Sequence, residues 1–226
     1  MTEQEIDNFY KEREYEQKMA RLKSIGWQPK FNAYSFEKAK ITEGNRNNFN
    51  ACKAFVEKPS NLYIYGTAGN GKTYLAWCAL LGACNKNNVL GRFISWEDFE
   101  REVLKDFDNR ATQFVDNLTH YKFVVLDDIF REQASKTTET AFVRFVDTWA
   151  NSLKKGLILT SNDSLQQLAL KVKNDRVISR IAQLMDYFIE NTAPDYRTEG
   201  LAAKTIKASD KFNFGERAKR QSITVI

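Results

Sequence analysis

The chain alternates short apolar runs with longer segments whose apolar residues recur every three to four positions, the pattern of strands interleaved with helices. The apolar runs are Asn61 to Tyr65, Leu90 to Ser95, Phe123 to Leu126 and Leu157 to Thr160, with a last short strand from Asp186 to Glu190. Phe123-Val124-Val125-Leu126 is apolar without interruption, as expected of a strand covered on both faces of a parallel sheet. Helical spacing fills the intervals. Leu75, Ala76, Ala79, Leu80 and Ala83 share a face before Asn85 to Asn88 break it. Phe142, Phe145, Val146, Trp149 and Leu153 do the same between about Thr138 and Lys154, with Gly156 as the stop. Ser95, with Asp98 at capping-box spacing, opens a helix running to about Phe107, and Ala111 to Leu118 forms a shorter one. Ser164 starts another, and Asp175 to Leu184 is a further one carrying Arg176 and Arg180. Strands that alternate with helices in this way predict a doubly wound α/β domain with a central parallel sheet and its site at the strand C-termini.

The first strand runs into Gly66-Thr67-Ala68-Gly69-Asn70-Gly71-Lys72-Thr73 and then into a helix, which fits the phosphate-loop pattern G-x-x-x-x-G-K-[ST]. Glycines let the backbone turn tightly and bring its N–H groups against a polyphosphate, and the helix opening near Lys72 adds its positive end. Lys72 is expected to reach the β and γ phosphates of ATP, with Tyr74 completing the nucleotide contacts. The Thr73 hydroxyl is placed to hold the bridging magnesium ion (Mg2+). The third strand ends in Asp127-Asp128, where Asp127 can hold the ion's water shell opposite Thr73 and Asp128 can orient the attacking water. Asn162, after the fourth strand, can fix the same water or touch the γ phosphate.

Outside this constellation the pattern is less decided. Residues 2–25 read as a helix: Thr2 and Glu5 have capping-box spacing, Ile6, Phe9 and Tyr10 share a face, and Tyr15, Met19 and Leu22 continue it until Gly26 and Pro29. This charge-rich helix with one apolar edge either docks a partner or packs back on its own domain. Phe31, Tyr34 and Phe36, ahead of a helix from about Arg46 to Val56, either line the adenine side of the pocket or belong to the core. The expected organisation is a helical arm over 1–28, an ATPase domain over 29–205 and a basic tail over 206–226.

Charge sharpens the picture at the C-terminus. Of a net +5 over 226 residues, residues 201–226 contribute six bases against two acids, whereas residues 1–30 balance six against six. That tail suits contact with nucleic acid and equally suits a solvated end. Cys52, Cys78 and Cys84 form no C-x-x-C pair and His120 is the sole histidine, so zinc lacks ligands and reduced thiols are expected. No apolar run has the length of a transmembrane helix and the N-terminus is charged from Glu3 onward, so the expected place is the cytoplasm, with no membrane contact.

Taken together, these motifs resemble an AAA+ ATPase, and within that superfamily the DnaC/DnaI replicative helicase loaders of the IstB/DnaC-like group. The resemblance covers roughly residues 29–200. It rests on a Walker A at Gly66–Thr73, a Walker B at Phe123–Asp128, and Thr160-Ser161-Asn162 as sensor 1. Ser95 to Phe107 followed by Phe114 to Leu118 has the layout of the family's initiator-type helical insertion. Asp175-Arg176-Val177-Ile178-Ser179-Arg180 looks like box VII, which implies Arg180 as an arginine finger acting between self-assembled copies, with Arg176 a neighbouring candidate. Asp195-Tyr196-Arg197 resembles the closing element that would make Arg197 sensor 2.

The resemblance implies Mg-dependent, slow ATP hydrolysis stimulated by assembly or DNA, a hexameric replicative helicase as partner, and delivery of that helicase to single-stranded DNA. A transposition helper of the IstB type shares almost every motif. A non-catalytic adaptor is disfavoured by Lys72, Asp127 and Asn162 together, and a kinase would need an acceptor site and lid. In the insertion, Lys105, Phe107 and Arg110 combine charge with a ring, the mix that single strands bind. Two departures stand out: Asp128 replaces the glutamate common in Walker B, and the arm lacks the zinc ligands of DnaI-type domains. After residue 200 too little chain remains for a full helical lid.

Overall fold

The structure is a computed structural model that describes residues 3–105 and 110–198. The chain divides into two units, Met1–Asp195 and Tyr196–Ile226. Among the described residues the first unit holds one five-stranded parallel sheet, ordered β2-β3-β4-β1-β5 from strands β1 (Leu62–Tyr65), β2 (Gly91–Ser95), β3 (Phe123–Asp127), β4 (Leu157–Ser161) and β5 (Tyr187–Glu190). The helices are α1 (Glu3–Ile25), α2 (Arg46–Glu57), α3 (Lys72–Asn87), α4 (Trp96–Leu104), α5 (Arg110–His120), α6 (Lys136–Asn151), α7 (Leu165–Ala169) and α8 (Asp175–Leu184).

The two-residue period of β1 to β4 sends alternate side chains into two separate cores, while the edge strand β5 is largely exposed. Leu62, Ile64, Phe123, Val125 and Ile158 join Phe55, Leu75, Trp77 and Phe93 on the face of α2 and α3. Tyr63, Val124, Leu126, Leu157 and Leu159 join Phe142, Phe145, Trp149, Val177 and Ile181 on the face of α6 and α8. Burying each of these large side chains contributes about 1.5–3 kcal/mol, so a parallel sheet of short strands is stabilised mostly by its helices. Register then aligns the strand ends: Tyr65 pairs with Ser161 and Glu190, and Asp127 with Ser95.

Helix ends fall where local chemistry puts them. α4 is capped as expected by the Ser95 hydroxyl, which accepts from Asp98 N at 3.1 Å, but it stops at Leu104 instead of running to Phe107. α6 begins before Thr138 because Ser135 caps it, accepting from Thr138 N at 3.1 Å. It ends at Asn151, ahead of Leu153, whose φ of 51° is incompatible with continuing the helix.

The N-terminal helix packs on the domain only at its C-terminal end. Its last turn packs: Ile25 is fully buried, Arg21 Nη2 donates to Cys84 O at 3.3 Å, and Arg92 Nη1 donates to Ser24 O at 3.1 Å beside β2. Residues 8–18 are exposed along their whole length, including Phe9, Tyr10 and Tyr15. The aromatics that follow differ in burial. Phe31 is core, stacked on Trp77 with centroids 4.3 Å apart, and Phe36 packs edge-on against Phe49. Tyr34 lies half-buried against Tyr74, 4.4 Å between centroids. No helix among the described residues is long and apolar enough to cross a membrane.

Candidate functional site

Three strand ends and one helix N-terminus meet at the C-terminal edge of the sheet. The loop Gly66–Thr73 joins β1 to α3, with Thr67 and Ala68 exposed at its tip. Gly66 has φ 140°, and a Cβ there would lie 2.1 Å from Asn191 O, so only glycine fits. Gly69 (φ 74°) and Gly71 (φ 92°) supply the remaining turns into the helix. The loop is tied to the chain just beyond β5. Asn70 Nδ2 donates to Asn191 O at 2.7 Å, Asn191 Nδ2 donates back to Asn70 O at 3.1 Å, and Asn191 N donates to Tyr65 O at 2.7 Å. Lys72 is buried, and its Nζ lies 2.7 Å from Gly66 O, 2.8 Å from Thr67 O and 3.0 Å from Asn162 Oδ1. Tyr74 is anchored to the preceding segment, its hydroxyl donating to Ser35 O at 2.7 Å and accepting from Ser35 N at 3.1 Å.

The acids sit opposite. Asp127 closes β3, and the Thr73 hydroxyl lies 3.0 Å from both of its carboxylate oxygens. From the neighbouring strand, the Thr160 hydroxyl donates to Asp127 Oδ1 at 2.6 Å. Burial pushes the Asp127 carboxyl above its ordinary value. The hydrogen bonds from Thr160 and Thr73 oppose that, the charge of Asp128 adds to it, and Lys30 lowers it again.

Asp128 is left-handed, with φ 60°, which turns its carboxylate away from Asp127 and toward Asn162, whose Nδ2 donates to Asp128 Oδ1 at 2.7 Å. This backbone is held by Asp128 N donating to Thr160 Oγ1 at 2.8 Å and Ile129 N donating to Thr160 O at 2.8 Å. Phe130 is left-handed too (φ 52°) and is wedged against Trp96 at 4.3 Å and Phe142 at 5.2 Å, packing that offsets the strain. Asn162 thus joins Lys72 to Asp128.

The remaining expected residues are dispersed. Arg180, on α8, is paired with Asp147 of α6 at 2.6 Å, and Arg176 meets the same carboxylate at 3.3 Å. Arg197 belongs to the second unit. Lys105 is exposed and pairs with Glu102 at 2.7 Å. Phe107 lies outside the described residues, as does the side chain of Arg110, which opens α5.

Three residues with clear structural work are not among those singled out from sequence. Thr160 was visible as part of Thr160-Ser161-Asn162, but only the register of β3 against β4 shows that its hydroxyl serves both acids. Asn191 and Asp147 carry no motif signal at all.

The donor set fits magnesium ATP. Hard oxygens at Thr73 and Asp127 face one another beside a glycine loop at a helix N-terminus. Among the described residues no group of three or more His, Cys, Asp or Glu could hold a metal ion.

Fold and site define a P-loop ATP-binding domain with a five-stranded parallel sheet. Residues 2–190 match the family described as IstB-like ATP binding protein, and the chain belongs to that family. Its fold is shared with several solved structures. The DnaC helicase loader is 21% identical, with a TM-score of 0.62 over 73% of this chain and 100% of that one. DnaI is 23% identical, with a TM-score of 0.62 over 74% and 96%. AMPPCP-bound DnaA from Aquifex aeolicus is 22% identical, with a TM-score of 0.60 over 80% and 58%. The chain therefore spans less than two thirds of the DnaA chain it matches.

Proposed function

We propose that this protein is an ATP-dependent loader that holds a hexameric replicative helicase and delivers it to single-stranded DNA, hydrolysis driving release. The observation that carries the reading is the continuous polar chain from Lys72 through Asn162 to Asp128. It links the residue that would touch phosphate to the residue that would orient water. Family membership and a fold shared with DnaC and DnaI over nearly their whole length support it.

In this reading the backbone of Gly66–Thr73, with Tyr74 beside it, receives the phosphates, and Lys72 leaves the loop carbonyls to neutralise their outer oxygens. Thr73 and Asp127 would hold Mg2+, which when bound draws charge from the bridging oxygens. Asp128 accepts the proton of a water that Asn162 helps to fix, the two held 2.7 Å apart for that purpose. Arg180 acts on the site of a neighbouring copy and Arg197 as sensor 2. Lys105, Phe107 and Arg110 contact DNA. Residues 1–28 form the docking arm, supported by the exposure of Phe9 and Tyr10. The protein works in the cytoplasm.

A second reading, an ATPase helper of transposition of the IstB type, is supported by membership of the family described as IstB-like ATP binding protein. Co-purification with the replicative helicase of the same host, with and without Mg-ATP, separates the two. Capture by the full chain that is lost without residues 1–28 supports the loader. Failure under every nucleotide condition, with retention on duplex DNA, favours the helper.

A further inference from the structure

The two arginines of α8 converge on one carboxylate. Asp147 lies in the last half of α6 with its side chain 29% exposed, and its two oxygens are divided between partners. Oδ1 lies 2.6 Å from Arg180 Nε, and Oδ2 lies 3.3 Å from Arg176 Nη2. The grip on Arg180 is close but badly aimed. Its Nε–H is buried and makes no hydrogen bond among the described residues, so the contact is one of charge, while Nη1 donates sideways to Gln183 Oε1 at 2.9 Å. A guanidinium with a buried, unsatisfied donor gains from finding a better oxygen acceptor. α8 itself is held firmly: Glu139, fully buried on α6, accepts from Lys173 N at 3.0 Å and Asn174 N at 2.8 Å just ahead of the helix. A release of Arg180 therefore needs only side-chain rotation, with no movement of the helix.

We propose that Asp147 is a positioning residue that parks Arg180 in the single subunit and yields it when the phosphates of a second copy come within reach. Arg176 stays behind to neutralise the carboxylate. The inference rests on the reading of Arg180 as a group acting between copies. Because the pair is about one-third exposed, its hold is modest. Its effect falls on how readily copies assemble into an active form, and the rate once they are assembled stays the same. The two neighbours of Arg180 then have opposite signs. Weakening Asp147 frees Arg180, whereas removing Arg176 leaves the carboxylate without its second partner and tightens its hold on Arg180.

ATP turnover per subunit, measured against concentration of the full-length chain in Mg2+, tests this with Asp147→Asn, Arg176→Ala and Arg180→Ala. Thermal unfolding confirms that each variant folds. Asp147→Asn is expected to lower the half-maximal protein concentration about 2- to 5-fold at an unchanged plateau, and Arg176→Ala to raise it by a similar factor. A loss of mere packing would move both in one direction. Should Asp147→Asn fold poorly, Arg176→Ala, whose side chain is 63% exposed, decides by the sign of its shift at an unchanged plateau, and a lowered plateau would make Arg176 the group acting between copies and overturn the parking role. Arg180→Ala at a low plateau with no shift in the other two overturns the parking role alone. Arg180→Ala at the wild-type plateau overturns the parent reading and the parking role with it.

Discussion

The Thr160 hydroxyl donates to Asp127 Oδ1 at 2.6 Å and accepts from Asp128 N at 2.8 Å, so one buried side chain on β4 fixes both acids at the end of β3. Thr160→Val keeps the shape and strips both bonds, leaving a buried carboxylate oxygen and a partly buried N–H without that partner. The expected cost is about 1–3 kcal/mol, read as a lower urea midpoint at unchanged slope. Thr160→Ser, which keeps the hydroxyl, should recover most of it. Equal midpoints for the Val and Ser variants would show that the hydroxyl contributes nothing.

Asn162 links Lys72 to Asp128 through bonds of 3.0 and 2.7 Å. Asn162→Ala should leave nucleotide affinity nearly unchanged, because Lys72 retains the loop and the phosphates. It should reduce ATP turnover about 10²-fold, the usual loss when one aligned polar group is taken from a reacting centre. Fluorescent-nucleotide titration beside a turnover assay checks this. A large loss of affinity with turnover per bound nucleotide intact would move Asn162 from chemistry to binding.

The three free thiols, Cys52, Cys78 and Cys84, are all buried. Burial pushes Cys78 up to about 12 and Cys84 up to about 11, and raises Cys52 as well. A thiol whose value rises on folding stays protonated in the folded state. Its contribution to stability holds below the unfolded value and is lost as pH climbs from there through the folded one. At pH 8 the folded protein should therefore resist a disulfide reagent, and all three thiols should react promptly in guanidinium. Fast native labelling would mean that the α2–α3 face opens.

The sheet was legible because β1 to β4 each sit between two cores and read as apolar runs, and the phosphate loop because its glycines, lysine and hydroxyl have fixed spacing. What escaped is set by pairing across the sequence. Asn191 reaches Asn70 over 121 positions, and Asp147 reaches Arg176 over 29, and neither residue type signals such a role by itself. Packing of α1 on its own domain was one of two readings open from sequence, and what the local pattern could not locate is where: Ile25 is buried in the core that also holds Phe93 of β2 and Cys84 of α3.

Gly69 sets the sharpest test of the loop. Its φ of 74° disfavours any side chain, and a Cβ there would lie 1.8 Å from Asp195 Oδ1, so Gly69→Ala must displace either the loop or the Asp195 carboxylate. Asp195 is the flexible party in that clash, and its retreat alone would leave the fold intact, but the positive φ would still strain the loop. The expected result is a folded protein with weakened nucleotide binding. Thermal unfolding separates the two effects. Magnesium and a non-hydrolysable ATP analogue at a hundred times the dissociation constant should stabilise the wild type by about 2.7 kcal/mol. Gly69→Ala should lose most of that increment while its ligand-free midpoint falls only slightly. A full increment in the variant would mean that the backbone at Gly69 does not approach the phosphates.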